Sequence, residues 1–111
     1  MEISYDQEED ILSLISEKKV KHSIDVGDFI VDIDHKGFVS GIEILNATDN
    51  LDLSEKQLEK IEKGSITVSY KPNYVRISLI LKLLRKQKDI TIPLTLDLGH
   101  NSTIREEIAQ A

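Results

Sequence analysis

Asp32-Ile33-Asp34-His35-Lys36-Gly37, followed by Glu43, is the stretch of this sequence with the clearest chemical possibility. Counted from Asp32 as position one, Asp34 is third, Gly37 sixth and Glu43 twelfth. A calcium loop uses that spacing to wrap carboxylate oxygens around a sharp glycine turn. Two features weigh against calcium. Position five is Lys36, a cation where an oxygen ligand is needed, and the flanks read as strands where that loop needs helices. The better reading is an acidic outer face beside a glycine-dependent turn, and Asp32, Asp34 and Glu43 are kept as metal-ligand candidates under the calcium alternative. Asp28 is expected opposite Glu43, with Asp32 nearby. Like charges paired across strands repel. A cation, or Lys and Arg side chains from the 71–88 segment of the same chain or of a second copy, would relieve them.

Other chemistry is thin. Asp6, Glu8, Glu9 and Asp10 crowd one turn. Paired carboxylates do acid–base work when burial separates their pKa values, but this turn has no apolar surround and reads as solvated. His22, His35 and His100 form no zinc-ligand spacing. The chain has no Cys, which removes disulfides and thiol nucleophiles. Its five glycines are scattered rather than gathered in a phosphate loop, and no serine sits in a nucleophile-elbow motif. An enzyme is not expected, and no cofactor is implied.

Charge is divided along the chain. Residues 1–52 carry 4 basic and 13 acidic side chains, net −9, and residues 53–111 carry 10 and 7, net +3. Residues 64–88 hold six cations and no acid. Lys82, Arg85, Lys86 and Lys88 are therefore the candidate interaction surface: Lys82 is expected on a strand face with Arg76, and Arg85, Lys86 and Lys88 in a hairpin loop that pairs with the acidic half. Nucleic acid is not the expected partner: Tyr70 and Tyr74 make a thin stacking platform, and a chain of net charge −6 opposes phosphate binding.

The elements that would carry these groups follow a period of two, the strand period. Strands are expected at Ile3 to Tyr5, Ile11 to Ile15 and Val20 to Val26. A hairpin spans Phe29 to Leu45, its turn at Asp34-His35-Lys36-Gly37, with Ile33 opposite Phe38 and Phe29 opposite Ile42. Ser54 and Gln57 form a capping box that opens a helix, and Gly64 fits its stop. Ile66 to Tyr70, Val75 to Leu83 and Ile90 to Leu98 alternate as strands, although Leu79 to Lys86 could also coil as an amphipathic helix. Pro93 cannot donate to a ladder, so its strand belongs at an edge. Gly99 ends it. Thr103-Ile104-Arg105-Glu106 reads as a second capping box and a short C-terminal helix. The expected fold is α+β, mostly antiparallel β-sheet with one central helix and a short C-terminal helix.

Tyr5-Asp6-Gln7-Glu8-Glu9-Asp10-Ile11-Leu12, then Ile30-Val31-Asp32-Ile33-Asp34, Gly37, and Val39 to Ala47 resemble, in order, the pattern of a family of small prokaryotic proteins, domain-of-unknown-function family 2283. Gln7 stands where that pattern usually has Pro, Glu9 where it has Ala, and Ser13 where an aromatic is common. The resemblance covers residues 1–50. Residues 51–111 form a helix-plus-hairpin extension, expected to make one compact domain with the first part. The family has no established activity. Some members are encoded beside small toxin-like proteins, so the resemblance implies an antitoxin-like binding role as one expectation.

At 111 residues, 40% hydrophobic and 31% charged, the chain has the balance of a folded globular domain. No apolar run spans a membrane, and the opening residues lack a signal peptide, so a cytoplasmic protein is expected. The expected function is non-enzymatic: protein–protein binding or self-assembly, as a homodimer or with a second protein. The physical ground is the apolar side of Val75 to Leu83 and Ile90 to Leu98, which one helix cannot cover and a second copy could. The alternatives are a calcium-binding protein and an antitoxin-like or nucleic-acid-linked module.

Overall fold

A computed structural model describes residues 1–94 and 103–110. The strands are β1 (Glu2–Asp6), β2 (Ile11–Ile15), β3 (Val20–Val26), β4 (Phe29–Asp34), β5 (Val39–Ile44), β6 (Lys63–Lys71), β7 (Tyr74–Leu83), β8 (Lys86–Leu94) and β9 (Thr103–Gln110). The helices are α1 (Ala47–Leu51) and α2 (Glu55–Glu59). The chain is β-rich. One sheet runs β1-β2-β5-β4-β3 and the other β8-β7-β6-β9, and every pairing is antiparallel.

The two sheets share one core. Leu12, Leu14, Val31, Ile42 and Ile44 from the first pack with Ile66, Val68, Tyr70, Ile77, Leu79 and Leu81 from the second. The apolar side of β7 is therefore covered by the chain's own first sheet, and the lid expected from a second copy is supplied within the fold. Leu51 and Leu58 on the helices, Leu53 between them and Ile61 just after α2 are buried in the same core.

Segment 74–83 is strand throughout, because Val75, Ile77, Leu79 and Leu81 are buried on one side while Arg76 and Lys82 stay exposed. Among the described residues, Pro93 lies on an edge strand, β8, opposite Arg76 of β7. The expected continuation to Leu98, the stop at Gly99 and His100 lie outside the described residues.

Three expectations are corrected. The C-terminal helix is a strand: β9 pairs with β6 from Lys63–Gln110 to Tyr70–Thr103. The capping-box signature is local, while the long free edge of β6 gains a full ladder from this segment. The central helix is a single turn. Its capping box is present, with Ser54 and Gln57 each bonding the other's backbone N–H, but it ends before Lys60. Gly64 is not its stop. It lies in β6, where an added Cβ would stand 2.8 Å from Leu14 Cδ2 and 3.2 Å from Ile3 Cδ1, so the glycine is there for close packing between sheets.

The hairpin register also differs. The closing pair is Asp34 with Phe38: the Asp34 N–H donates to the Phe38 carbonyl at 2.9 Å and Gly37 N–H to the Asp34 carbonyl at 3.0 Å. Gly37 takes φ +83°, as the turn requires. Beyond the turn, Ile33 faces Val39 but Asp32 faces Gly41, so Ser40 is an extra residue. That bulge turns both Val39 and Ile42 into the core and sets Phe29 opposite Ile44.

Candidate functional site

The bulged hairpin gives each acidic candidate its own role. Asp34 is a turn residue: its Oδ1 accepts from the backbone N–H groups of Lys36 at 2.9 Å and Phe38 at 3.0 Å. Asp32 is 7% exposed, and its carboxylate accepts the Ser23 hydroxyl at 2.6 Å. Gly41 opposite leaves room for it, since a Cβ there would lie 3.2 Å from Asp32 Oδ2 and 3.0 Å from the Leu14 carbonyl. Glu43 pairs with Ile30 rather than with Asp28. The Asp28 carboxylate instead accepts from the Asn50 side-chain amide at 3.0 Å, so the expected repelling pair is not formed. Among the described residues, no three His, Asp or Glu side chains gather into a group that could hold a metal ion.

The basic candidates divide in the same way. The turn between β7 and β8 is Leu84-Arg85, and Lys86 and Lys88 are strand residues. Arg85 and Lys86 join Lys56 and Lys60 of the α2 region around Leu83 and Leu84, in a groove of about 390 Å³. Lys82 points to the outer face of the second sheet, beside Lys63, Ser65 and Gln87. Lys88 is opposite Leu81 and half-buried. The expected pairing of this hairpin with the acidic half is not seen: among the described residues the ion pair formed is Lys18–Glu107, at 3.8 Å and exposed on both sides.

A second groove, about 330 Å³, lies at the tip of the β4–β5 hairpin and is lined by Lys18, Lys19, Asp34, His35, Lys36, Phe38 and Arg105. The Arg105 guanidinium lies 3.4 Å above the Phe38 ring, a cation–π contact. Sequence reasoning missed this grouping, because it reads Arg105 as part of a helix.

Asp10 is the other residue whose role the sequence conceals. It takes φ +55° and lies within reach of α1. Its carboxylate accepts the Thr48 hydroxyl at 2.6 Å, the Tyr5 hydroxyl at 2.7 Å and the Thr48 N–H at 3.1 Å. The N-cap residue Asn46 makes no side-chain cap bond, so a carboxylate 38 residues away caps α1. Partial burial pushes the Asp10 carboxyl up, but the bonds from Thr48 and Tyr5 outweigh it and hold it below its ordinary value. Burial, then the bond to Asp10, pushes the Tyr5 hydroxyl well up. The solvated-turn reading of Asp10 is thus replaced by a structural one.

The open edges of the molecule complete the picture. Among the described residues, β3 has β4 as its one strand neighbour in the first sheet, and Val20, Lys21, His22, Ser23 and Asp25 are exposed. At the opposite edge β1 comes close to β9 and α2. Among the described residues, β8 is an outer edge of the second sheet and carries Pro93.

Two antiparallel sheets on one core, joined through two single-turn helices, define a small β-rich protein. The chain belongs to the family described as "Protein of unknown function (DUF2283)", whose model matches residues 2–47. That span is the whole first sheet and the start of α1. The chain is also 35% identical over 96 residues to "Uncharacterized protein MJ0789" of Methanocaldococcus jannaschii, covering 81% of this chain and 79% of that one. The likeness therefore runs on into the second sheet. No solved structure matches the chain. Among the described residues, no helix is long and apolar enough to cross a membrane.

Proposed function

We propose that this protein acts without catalysis, by binding a polypeptide strand at the free edge of β3. The observation that carries the reading is the edge itself: among the described residues, a seven-residue strand paired on one side only, with five exposed residues. Unpaired N–H and C=O groups along a strand are a template for another strand. β8 is the weaker template, because Pro93 lacks a donor. The shifted titratable groups fit a non-enzymatic role, since Asp10 accepts from the Tyr5 and Thr48 hydroxyls and the Tyr70 hydroxyl accepts a backbone N–H.

A photoreactive residue placed at His22, on the edge, tests this. Adducts with polypeptide are expected at position 22 and not at an off-edge control position, Glu59 of α2. Equal yields at both positions, or none at 22, would contradict it.

A second reading has its own support. The four cations Lys56, Lys60, Arg85 and Lys86 around exposed Leu84 suit an antitoxin-like grip on an acidic, partly apolar segment of another protein. Under it, Arg85→Glu with Lys86→Glu abolishes capture of that partner while the edge contact persists.

A further inference from the structure

We propose that the strand received at the β3 edge is β3 of a second copy, laid antiparallel about a two-fold axis through Ser23. This rests on the edge-binding reading above and names its partner. β3 reads Val20-Lys21-His22-Ser23-Ile24-Asp25-Val26. Turned about Ser23, the strand meets itself with Lys21 opposite Asp25 of the partner subunit, and Asp25 opposite Lys21 of the partner subunit. Val20 then faces Val26, and His22 faces Ile24. Opposite charges directly across an antiparallel pair attract, and like charges there repel. Pairings centred on Lys21 or on Asp25 would set each charge against itself. The Ser23 register satisfies both charges in both copies and uses the whole strand.

Two features of the fold agree. The register between β3 and β4 shifts between Val20 and His22, which leaves Lys21 without a partner on β4. Lys21 and Asp25 are both exposed and form no ion pair within 4.0 Å among the described residues, so their charges are available across the edge. Charged residues on an edge ordinarily keep foreign strands away. Here the same charges are self-complementary, so they exclude other sequences while admitting their own. An isologous contact of this kind closes at two copies, and the two five-stranded sheets run on as one. A strand-edge contact is small, at the lower end of specific interfaces below roughly 1,200 Å². Association is therefore concentration-dependent.

Light scattering of the full chain, from about ten micromolar to about a millimolar, tests the proposal through charge reversal. The wild type should pass from one chain to two across that range. Lys21→Asp and Asp25→Lys should each raise the midpoint at least about tenfold, and the double reversal should bring it back to within a few-fold of wild type. Urea midpoints establish that each variant is folded. A wild type that stays single throughout, a dimer indifferent to either reversal, or a double variant that does not recover would overturn it. Adducts at position 22 carrying a different protein, with this chain single in solution, would overturn the two-fold pairing and leave edge binding standing. Absence of any adduct would remove both.

Discussion

The backbone N–H of Val39 donates to the phenolic oxygen of Tyr70 over 2.7 Å, from the bulged end of the first sheet to the second. Tyr70 is 1% exposed, so water does not replace the bond. The Phe38 ring meets Tyr70 edge-on at 5.3 Å, and Arg105 lies over Phe38. The hairpin turn, β6 and β9 thus converge on one phenol. Tyr70→Phe keeps the ring and removes this acceptor, which should cost about 1–3 kcal/mol. Tyr70→Ala, which also opens a cavity, should cost about 3–5 kcal/mol. Urea unfolding measures both; an unchanged midpoint for Tyr70→Phe would show that the bond does not hold the sheets.

Asp10 sets a dependence on acid. Its carboxyl is held below the ordinary value in the fold, so the ionised form is the stabilising one. That contribution is fully present above the unfolded carboxyl pKa and is lost as pH falls through the lower folded value. Asp10→Asn tolerates the left-handed backbone and removes the charge. It should lower stability at neutral pH by about 1 kcal/mol, and the gap from wild type should close as the pH drops below about 4. Unfolding curves at several pH values read this directly. A gap that persists unchanged in acid would locate the effect elsewhere.

Gly64→Ala adds a methyl group where Leu14 Cδ2 would be 2.8 Å away and Leu81 Cδ2 3.4 Å away. Leu14 and Leu81 are both fully buried, so overpacking should destabilise by about 1–3 kcal/mol. If Gly64 served only as a helix stop, alanine there would be close to neutral, and thermal or urea unfolding distinguishes the two.

The strands were largely legible because one buried face leaves an alternation that any register must respect. Val75 through Leu83 shows this, and so does the Ser54–Gln57 capping box, whose partners lie three residues apart. What stayed hidden depends on distant partners. The β9 segment carries a local helix-start pattern that loses to the edge of β6, some 40 residues earlier. One extra residue, Ser40, moves the hairpin register, and nothing local marks it. Asp10 caps a helix 38 residues away, and Arg105 finds Phe38 only once β9 is in place. The interaction candidates Lys82, Arg85, Lys86 and Lys88 are close in sequence, yet a strand sends neighbours to opposite faces and the turn divides the rest.

The acidic hairpin gives a prediction for calcium. The Asp34 carboxylate is engaged by two turn N–H groups and Asp32 by Ser23. Sub-millimolar calcium should leave the amide resonances of residues 32–43 unmoved. A saturable shift confined to those residues would instead support the cation-binding alternative for Asp32, Asp34 and Glu43.

Amide hydrogen exchange along β3, followed as protein concentration rises, tests the edge most directly. Amides within residues 20–26 should exchange more slowly at high concentration, while those of β7, already paired on both sides, stay unchanged. Exchange in β3 that is equally fast at every concentration, with the chain's mass doubling all the same, would place self-association at another surface and rule out pairing through β3.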